Sequence, residues 1–436
     1  MPPKLSAHFQ TRLPSPIRLS QIEFLKRADD LIAINTAIGN VSLPMYPAMA
    51  ERMFALGHAK SPFHDGVVKY STTVGETETN QAFLHLIECS GCSTRGLYSQ
   101  ITDGGSHAME LVILGVCGPA GSSQKPLLLI DPTYSNYVSM AERTGRPTVA
   151  VTRHLEKDGT FTLPTLASIE KVIQEKDPGA LLVIPYDNPT GQFFPQKTLE
   201  ELGKLCVKHN LWLISDEAYR EVFYTHDPAS SVWALTEKSV PGITGRRISI
   251  ESASKIWNAC GLRIGALITD NLEFHEKAVA ENTANLCANV IGQYIFGALL
   301  HEPQEKLHAW FKQQRNYYQK MSKEVTAALK KELPGLIVSI PDAALYTVVD
   351  VREIFGTDFD AEDFVMFCAQ KGGVSINGVK TTLLVAPMSG FYSSRPGELN
   401  PGKTQMRIAY VEPPEVMQEV PHLFAELLRN YQQATR

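Results

Sequence analysis

One lysine, Lys255, lies among serines and small residues in the stretch SASKIWNACGLRIG, which covers residues 252–265. Ser252 and Ser254 precede it, and Arg263 follows eight positions later. A lysine amine condenses with carbonyl groups when it is uncharged, and an apolar setting with a nearby arginine disfavours its ammonium form. The stretch therefore predicts a reactive amine. The alternative is a lysine that merely faces solvent after a strand.

Further polar residues follow other apolar runs of the sequence. Asn188 stands in YDNPTGQ, and Asp216 and Tyr219 stand in SDEAYRE. In an open α/β sheet, ligands bind outside the carboxyl ends of the strands, so these side chains are predicted to meet Lys255 there. Taken singly, an aspartate after a strand is more often a helix cap, and NPTG is usually only a turn.

A glycine-rich segment, ITDGGSHAMEL, contains Gly105 and Ser106 just before a predicted helix. Bare N–H groups and the helix dipole favour an anion at such a position. The segments together suit one cofactor, pyridoxal phosphate. This cofactor needs a lysine amine for its aldehyde, an acidic partner for its ring nitrogen, and N–H groups with an arginine for its phosphate.

The elements that must position these residues are indicated by apolar runs between turn residues. Strands are predicted at 126–134, 147–152, 180–191, 210–219, 246–255 and 263–270, with helices at 163–175 and 195–210. Buried strands separated by helices predict a three-layer α/β/α large domain with a mainly parallel sheet. A long helix at 302–332 and the strands after it predict a smaller α+β domain. The predicted division is 1–55 (N-terminal arm and part of the small domain), 56–315 (large cofactor-binding domain) and 316–436 (small C-terminal domain).

The composition limits the possible partners. The chain of 436 residues carries a net charge of −5, which gives no reason to expect nucleic acid or an anionic membrane. Seven cysteines are too few and too irregular for a disulfide framework, so we expect free thiols, a cytoplasmic location and no metal site. The first residues contain no apolar signal-peptide core, and no apolar run reaches the roughly 20 residues that span a bilayer.

The motifs YDNPTG, SDEAY, SASK and GLRIG, in this order, resemble those of the fold-type I pyridoxal-phosphate enzymes, in particular the class I/II aminotransferases. The resemblance covers roughly residues 30–430. It implies an enzyme that moves an amino group from an L-amino acid to a 2-oxo acid. It also implies that Lys255 is the Schiff-base lysine, that Asp216 is the partner of the ring nitrogen, and that Tyr219 and Asn188 bind the phenolic oxygen of the cofactor.

The same resemblance implies roles for further residues around the cofactor and the substrate. Tyr134 is expected to stack on the ring, Arg407 to bind the substrate α-carboxylate, and Asn188 and Gly39 to line that carboxylate pocket. Tyr70 corresponds to a tyrosine that reaches the phosphate of the neighbouring subunit, which implies a homodimer. The residues expected to bind the phosphate within one subunit are Gly105, Ser106, Ser252 and Arg263.

The chain departs from its aspartate-specific relatives in one respect. Those relatives often carry a second arginine between the lysine motif and the long helix, but residues 271–310 contain none. A dicarboxylate preference would then need a basic residue from elsewhere, such as Lys69 or Arg395. Within the cofactor class, the alternative is a carbon–sulfur β-lyase or a related eliminating enzyme, which needs no amino acceptor. Outside it, the alternative is an α/β ligand-binding protein without chemistry, which leaves Lys255 and Asp216 unexplained.

Overall fold

The computed structural model describes residues 3–393 and 399–435, through which strands and helices alternate. The strands are β1 (Ile32–Asn35), β2 (Tyr98–Thr102), β3 (Leu127–Asp131), β4 (Thr148–Thr152), β5 (Ala180–Val183), β6 (Trp212–Asp216), β7 (Arg247–Ser252), β8 (Gly265–Thr269), β9 (Ile337–Val338), β10 (Tyr346–Asp350), β11 (Val374–Ile376), β12 (Val379–Leu384), β13 (Ala386–Pro387) and β14 (Gln405–Ala409).

The helices occupy most of the remaining described chain. They are α1 (Ala7–Gln10), α2 (Pro16–Phe24), α3 (Pro47–Phe54), α4 (Thr77–Cys89), α5 (Gly104–Val116), α6 (Asn136–Arg143), α7 (Leu166–Lys176), α8 (Gln196–Lys208), α9 (Leu272–Asn282), α10 (Val290–Gly297), α11 (Gln304–Glu332), α12 (Arg352–Phe355), α13 (Ala361–Gln370), α14 (Pro414–Met417) and α15 (Val420–Thr435). In the part of the chain that the structure describes, none of them combines the length and the apolar character needed to cross a membrane.

Seven strands form the large sheet in the order β2-β8-β7-β6-β5-β3-β4. Strand β8 is antiparallel to both of its neighbours, and the other strands pair in parallel. The prediction of a mainly parallel sheet is therefore confirmed. Strand β2 was not predicted, because its sequence YSQIT contains a single aliphatic residue; its pairing with β8 holds it at the edge.

Both faces of the large sheet are covered. Leu181 of β5 belongs to an apolar core that includes Leu199 of α8. The next residue, Leu182, belongs to a second core with Val112 of α5. Because successive side chains of a strand point to opposite faces, the two cores lie on opposite sides of the sheet. The predicted three-layer α/β/α arrangement is thus confirmed.

The predicted strands are present but shorter than expected. The run predicted at 180–191 is a strand only over β5. Pro185 and Pro189 lack the N–H group that would continue the ladder, so the chain leaves the sheet there and turns. Because β5 ends at Val183, the polar residues of the following turn, including Asn188, lie beyond the end of the strand.

The remaining strands form two smaller sheets, ordered β13-β14-β10-β9 and β1-β12-β11. Strand β1 pairs in parallel with β12, with Ile32 opposite Thr381, so the N-terminal segment lies against the C-terminal part of the chain. Helix α11 runs through the predicted boundary between residues 315 and 316. The division into 1–55, 56–315 and 316–436 stays a prediction.

Candidate active site

A cavity of about 730 Å³ lies beside the carboxyl ends of β5, β6 and β7. This is where the loops of parallel strands converge in an α/β sheet. Every site residue predicted from the sequence lines it except Tyr70. The predicted residues in its lining are Gly39, Gly105, Ser106, Tyr134, Asn188, Asp216, Tyr219, Ser252, Lys255, Arg263 and Arg407.

Lys255 lies in the turn after β7 and is held against the N-terminal segment. Its Nζ donates a hydrogen bond to the carbonyl oxygen of Gly39. The turn is anchored by a backbone hydrogen bond from Ala253 N to Ile264 O of 2.9 Å. A Cβ on Gly39 would stand 2.9 Å from Lys255 Nζ and 2.5 Å from the Tyr346 hydroxyl. Glycine is therefore required at position 39 if the amine is to keep this place.

Asp216 ends β6, and its carboxylate is held by two donors. The Tyr137 hydroxyl donates to Oδ2, and the Ala218 backbone N–H donates to Oδ1 at 3.0 Å. Burial raises the pKa of the Asp216 carboxyl above its ordinary value. A cationic N–H group in the cavity would offset this desolvation and favour the ionised carboxylate.

The N-terminus of α5 forms one end of the cavity. This helix of 13 residues begins at Gly104, and Asp103 makes no side-chain cap bond, so the first N–H groups lack a capping side chain. Gly104 has φ of +78°, and a Cβ there would stand 2.5 Å from Arg263 Nη2. The glycine thus lets the guanidinium approach the helix start, where Gly105 and Ser106 also line the cavity.

Two serine hydroxyls lie at the same end. Ser252 Oγ is 2.8 Å from Ser254 Oγ and accepts the Ser254 backbone N–H at 3.0 Å. Arg263 has a left-handed backbone, with φ of +54°, and its Nη1 donates to the Cys260 carbonyl at 3.0 Å. Helix N–H groups, hydroxyls and a guanidinium form a donor set for a phosphate dianion.

Arg407 of β14 is 3% exposed and is fixed on two sides. Its Nη1 donates to Asn188 Oδ1 and its Nη2 donates to the Ala37 carbonyl, both at 2.6 Å. The guanidinium lies over the rings of Tyr346 and Phe391, at 4.3 and 5.0 Å from their centroids. Its Nε has no protein partner among the described residues. A carboxylate that entered the cavity would satisfy this buried donor.

The aromatic and amide residues occupy the middle of the cavity. Tyr134 packs edge-on against Tyr137, with ring centroids 5.3 Å apart. Asn188 Nδ2 donates to the Tyr219 hydroxyl at 3.4 Å. Tyr219 is also hydrogen-bonded to the Tyr346 hydroxyl at 2.6 Å. Burial raises the pKa of Tyr219 well above its ordinary value, so the phenol stays protonated.

Tyr70 is not brought to this cavity by its own chain. Its side chain is 78% exposed and lines a separate cavity of about 560 Å³ beside α10. Lys69, one of the two residues considered for a distal carboxylate, lines that second cavity too. The other, Arg395, lies outside the described residues.

Sequence reasoning missed several residues of the site. Tyr137 lies in the first turn of α6, three positions after Tyr134, and its nearness in sequence to that residue could have suggested it. Tyr346 is 127 residues from its partner Tyr219, and no local signal marks it. The arm helix α2 adds Arg18 to the cavity lining, and its N-cap residue adds Ser15.

Glu217, the neighbour of Asp216, points away from the site. It forms an ion pair with Arg220 at 2.6 Å and accepts hydrogen bonds from Ser231 Oγ and from Val232 N. All of these groups are buried. The two neighbouring carboxylates therefore have different surroundings: Asp216 faces the cavity, and Glu217 faces the protein interior.

The donor set fits pyridoxal phosphate. The anion-binding end matches its phosphate, the partly buried Asp216 matches a protonated ring nitrogen, and the Lys255 amine matches its aldehyde. Gly104 and Gly39 leave space where a side chain would collide with Arg263 or Lys255. The cavity therefore suits the cofactor in chemistry and in shape.

Comparison with known proteins agrees with this geometry. The sequence model of the family described as aminotransferase class I and II matches residues 60–384. The aspartate aminotransferase of Musicola paradisiaca is 23% identical over 323 residues, which cover 72% of this chain and 74% of that protein. The bifunctional aspartate aminotransferase and glutamate/aspartate-prephenate aminotransferase of Petunia hybrida is 24% identical over 315 residues, which cover 68% of this chain and 59% of that protein.

Solved structures show the same fold. The N-succinyldiaminopimelate aminotransferase of Mycobacterium tuberculosis superposes with a TM-score of 0.79 at 19% identity, covering 97% of this chain and 100% of that one. At this identity the likeness concerns the fold alone. The family match, which spans most of the sequence, makes this chain a member of the class I and II aminotransferases, the transaminases that depend on pyridoxal phosphate.

Proposed function

We propose that Lys255, Asp216 and Arg407 act as one unit that transfers the amino group of an L-amino acid to a 2-oxo acid. The observation that supports this most is their meeting in one cavity, although 39 to 191 positions separate them in the chain. Burying a charged group costs desolvation energy, so packing alone rarely brings three such groups together. Here they are the Lys255 amine, the Asp216 carboxylate and the Arg407 guanidinium, whose Nε has no partner among the described residues.

When bound, pyridoxal phosphate supplies an aldehyde that condenses with amines and a pyridinium ring that withdraws electrons from the substrate. Lys255 provides the amine for this aldehyde and, when an amino acid has replaced it, takes the proton from the substrate Cα. Asp216 keeps a proton on the ring nitrogen. Tyr219 and Asn188 would donate hydrogen bonds to the ring oxygen of the cofactor, and Tyr134 would pack against its ring.

Arg407 orients the substrate in this scheme. A guanidinium binds a carboxylate through two parallel hydrogen bonds, and Nε is the donor of Arg407 that still lacks a partner among the described residues. Asn188 and Ala37 hold the guanidinium in place before substrate arrives. A fixed carboxylate determines which bond of Cα stands perpendicular to the cofactor ring, and hence which bond breaks.

The proposed reaction is tested by its need for an amino acceptor. We expect purified holoenzyme, given each of the twenty amino acids, to form the corresponding 2-oxo acid only when a 2-oxo acid such as 2-oxoglutarate or pyruvate is present. The products are measured by chromatography, and free ammonia is measured in parallel. Oxo-acid and ammonia release from cysteine or cystathionine without any acceptor would instead identify the β-lyase.

We infer a homodimer in which Tyr70 of each chain completes the cavity of the other. Tyr70 is 78% exposed, and its neighbours Val67 and Val68 are 47% and 55% exposed. Such an apolar stretch on the surface favours a protein partner, and the commonest symmetric partner is a second copy.

The dimer is tested by mixing inactive chains. A hybrid of a Lys255→Ala chain with a Tyr70→Ala chain contains one cavity with both native residues, so remixing the two variants from denaturant should give activity well above that of either alone. Sedimentation reports the oligomeric state of each sample. Hybrids no more active than the unmixed variants would contradict the exchange of Tyr70.

We also infer a cytoplasmic location. All seven cysteines are free, and four of them, Cys89, Cys92, Cys206 and Cys368, are buried as thiols. Burial raises the pKa of the Cys89 thiol to about 11 and that of Cys206 to about 12, so both are unreactive. Unpaired, buried thiols are typical of proteins that work in a reducing compartment.

A further inference from the structure

Tyr346 of β10 contacts two residues, Tyr219 and Arg407, to which the proposed function gives separate tasks, and it lies near a third, Lys255. Its hydroxyl is 2.6 Å from that of Tyr219. Its ring lies under the guanidinium of Arg407, 4.3 Å from the centroid. The Tyr346 hydroxyl and Lys255 Nζ both lie close to Gly39. A Cβ placed on that glycine would be within 3 Å of each of these two atoms. Tyr346 is 1% exposed, and no task has yet been assigned to it.

The hydrogen-bonding capacity of Tyr219 determines how the two phenols share their protons. A tyrosine hydroxyl carries one proton and two acceptor lone pairs. One lone pair of Tyr219 receives the Asn188 amide at 3.4 Å. If Tyr219 gave its proton to Tyr346, it would have none for a ligand in the cavity. If Tyr346 gives its proton to Tyr219, both lone pairs are filled and the Tyr219 proton is free.

We propose that Tyr346 is a positioning residue that donates its phenolic proton to Tyr219 and thereby directs the Tyr219 proton at the ring oxygen of the cofactor. The proposal rests on the proposed function, because it presumes a cofactor oxygen in front of Tyr219. A hydroxyl that accepts hydrogen bonds becomes a stronger donor, since chains of hydrogen bonds polarise one another. Tyr346 therefore strengthens the contact that Tyr219 makes.

The surroundings favour this direction of donation. Arg407 lies over the Tyr346 ring, and Lys255 lies near its hydroxyl. The phenols of Tyr134, Tyr219 and Tyr318 also lie close, since the Tyr346 phenol contributes to raising their pKa values. Among these neighbours, the Arg407 guanidinium is a cation directly over the Tyr346 ring. A cation beside a phenol makes its O–H a better donor, because it stabilises the negative charge left on its oxygen.

The test is a pH titration of the visible absorbance of the bound cofactor in Tyr346→Phe holoenzyme. This change removes one oxygen atom and keeps the ring under Arg407. In this variant Tyr219 is a weaker donor, so the negative charge on the ring oxygen of the cofactor is less stable and the protonated form of the cofactor is favoured. We therefore expect the pH at which half of the absorbance change has occurred to rise by about half to one unit. Tyr219→Phe should move the midpoint further in the same direction.

Two comparisons make the result specific. Tyr318→Phe is a matched control, because Tyr318 is also 1% exposed but its hydroxyl has no partner among the described residues; its midpoint should equal that of the wild type. The double variant Tyr346→Phe/Tyr219→Phe should titrate like Tyr219→Phe alone, since Tyr346 acts through Tyr219. A wild-type midpoint in Tyr346→Phe, or additive shifts in the double variant, would overturn the proposal. Failure of the proposed function would look different: without bound cofactor the wild-type protein would show no titrating chromophore, and a lyase would release ammonia without an acceptor whatever the midpoint of Tyr346→Phe.

Discussion

Holoenzyme carrying Lys255→Ala is expected to lose transamination by at least ~10⁴-fold, the upper range for loss of a general acid–base group. The amine that holds the aldehyde and the base at the substrate Cα are the same atom in this scheme, so one substitution removes both. Lys255→Arg should be as inactive, because a guanidinium keeps its proton at any pH the protein tolerates. A role based on positive charge alone would instead let Lys255→Arg retain activity.

The position of the covalent bond can be measured directly. After borohydride reduction and digestion, the wild-type peptide that contains residue 255 should gain the mass of the reduced cofactor, and the Lys255→Ala peptide should not. Lys171→Ala is a suitable control, since Lys171 is exposed on α7 and forms an ion pair with Glu175 at 3.8 Å, away from the cavity. Cofactor trapped on another lysine of an active Lys255→Ala enzyme would contradict the assignment.

Asp216→Asn should reduce kcat by ~10³-fold or more, equivalent to about 4 kcal/mol of transition-state stabilisation, while cofactor remains bound. Asparagine keeps the shape of the side chain and can accept from Tyr137 as the carboxylate does. It carries no negative charge, so the ring nitrogen loses the partner that keeps it protonated. Single-turnover kinetics with bound-cofactor absorbance would separate this loss from weaker cofactor binding, and near-normal turnover would refute the role.

The same substitution should have the opposite effect on the stability of the cofactor-free protein. Burial raises the pKa of Asp216 in the folded chain above its unfolded value. A carboxyl group whose pKa is raised by folding lowers the free energy of unfolding as pH rises from the pKa of the unfolded state through that of the folded state. The whole of this loss of stability is present at neutral pH. Asparagine carries no such cost, so apo Asp216→Asn should melt at or above the wild-type temperature at pH 7 and lose this advantage at acidic pH. A variant that is more stable and less active would exclude unfolding as the cause of its inactivity.

The sequence was sufficient for six of the seven strands of the large sheet because their signals are local. Strands such as β5 and β7 are short apolar runs between turn residues, and the side chains just beyond them could be assigned to one edge from topology alone. Strand β2 carries no such signal, since its polar residues become buried only by pairing with β8.

The site was predictable where motifs are contiguous and not where contacts join distant segments. Lys255, Asp216 and Asn188 each follow a strand of the same sheet, so their meeting follows from the fold. Tyr346 reaches Tyr219 because β10 belongs to a different sheet that packs beside the cavity. That packing depends on many apolar contacts between distant segments, so the sequence around residue 346 contains no motif that would predict the contact.

The contacts of the loop that follows β1 have a consequence for biosynthesis. The carbonyl of Ala37 accepts from Arg407, 370 residues later, and the carbonyl of Gly39 accepts from Lys255. Because a ribosome makes Arg407 370 residues after Ala37, the carboxylate pocket stays open until β14 has been synthesised. A nascent polypeptide that stops before β14 therefore lacks the group that would fix the substrate, although it already contains the catalytic lysine.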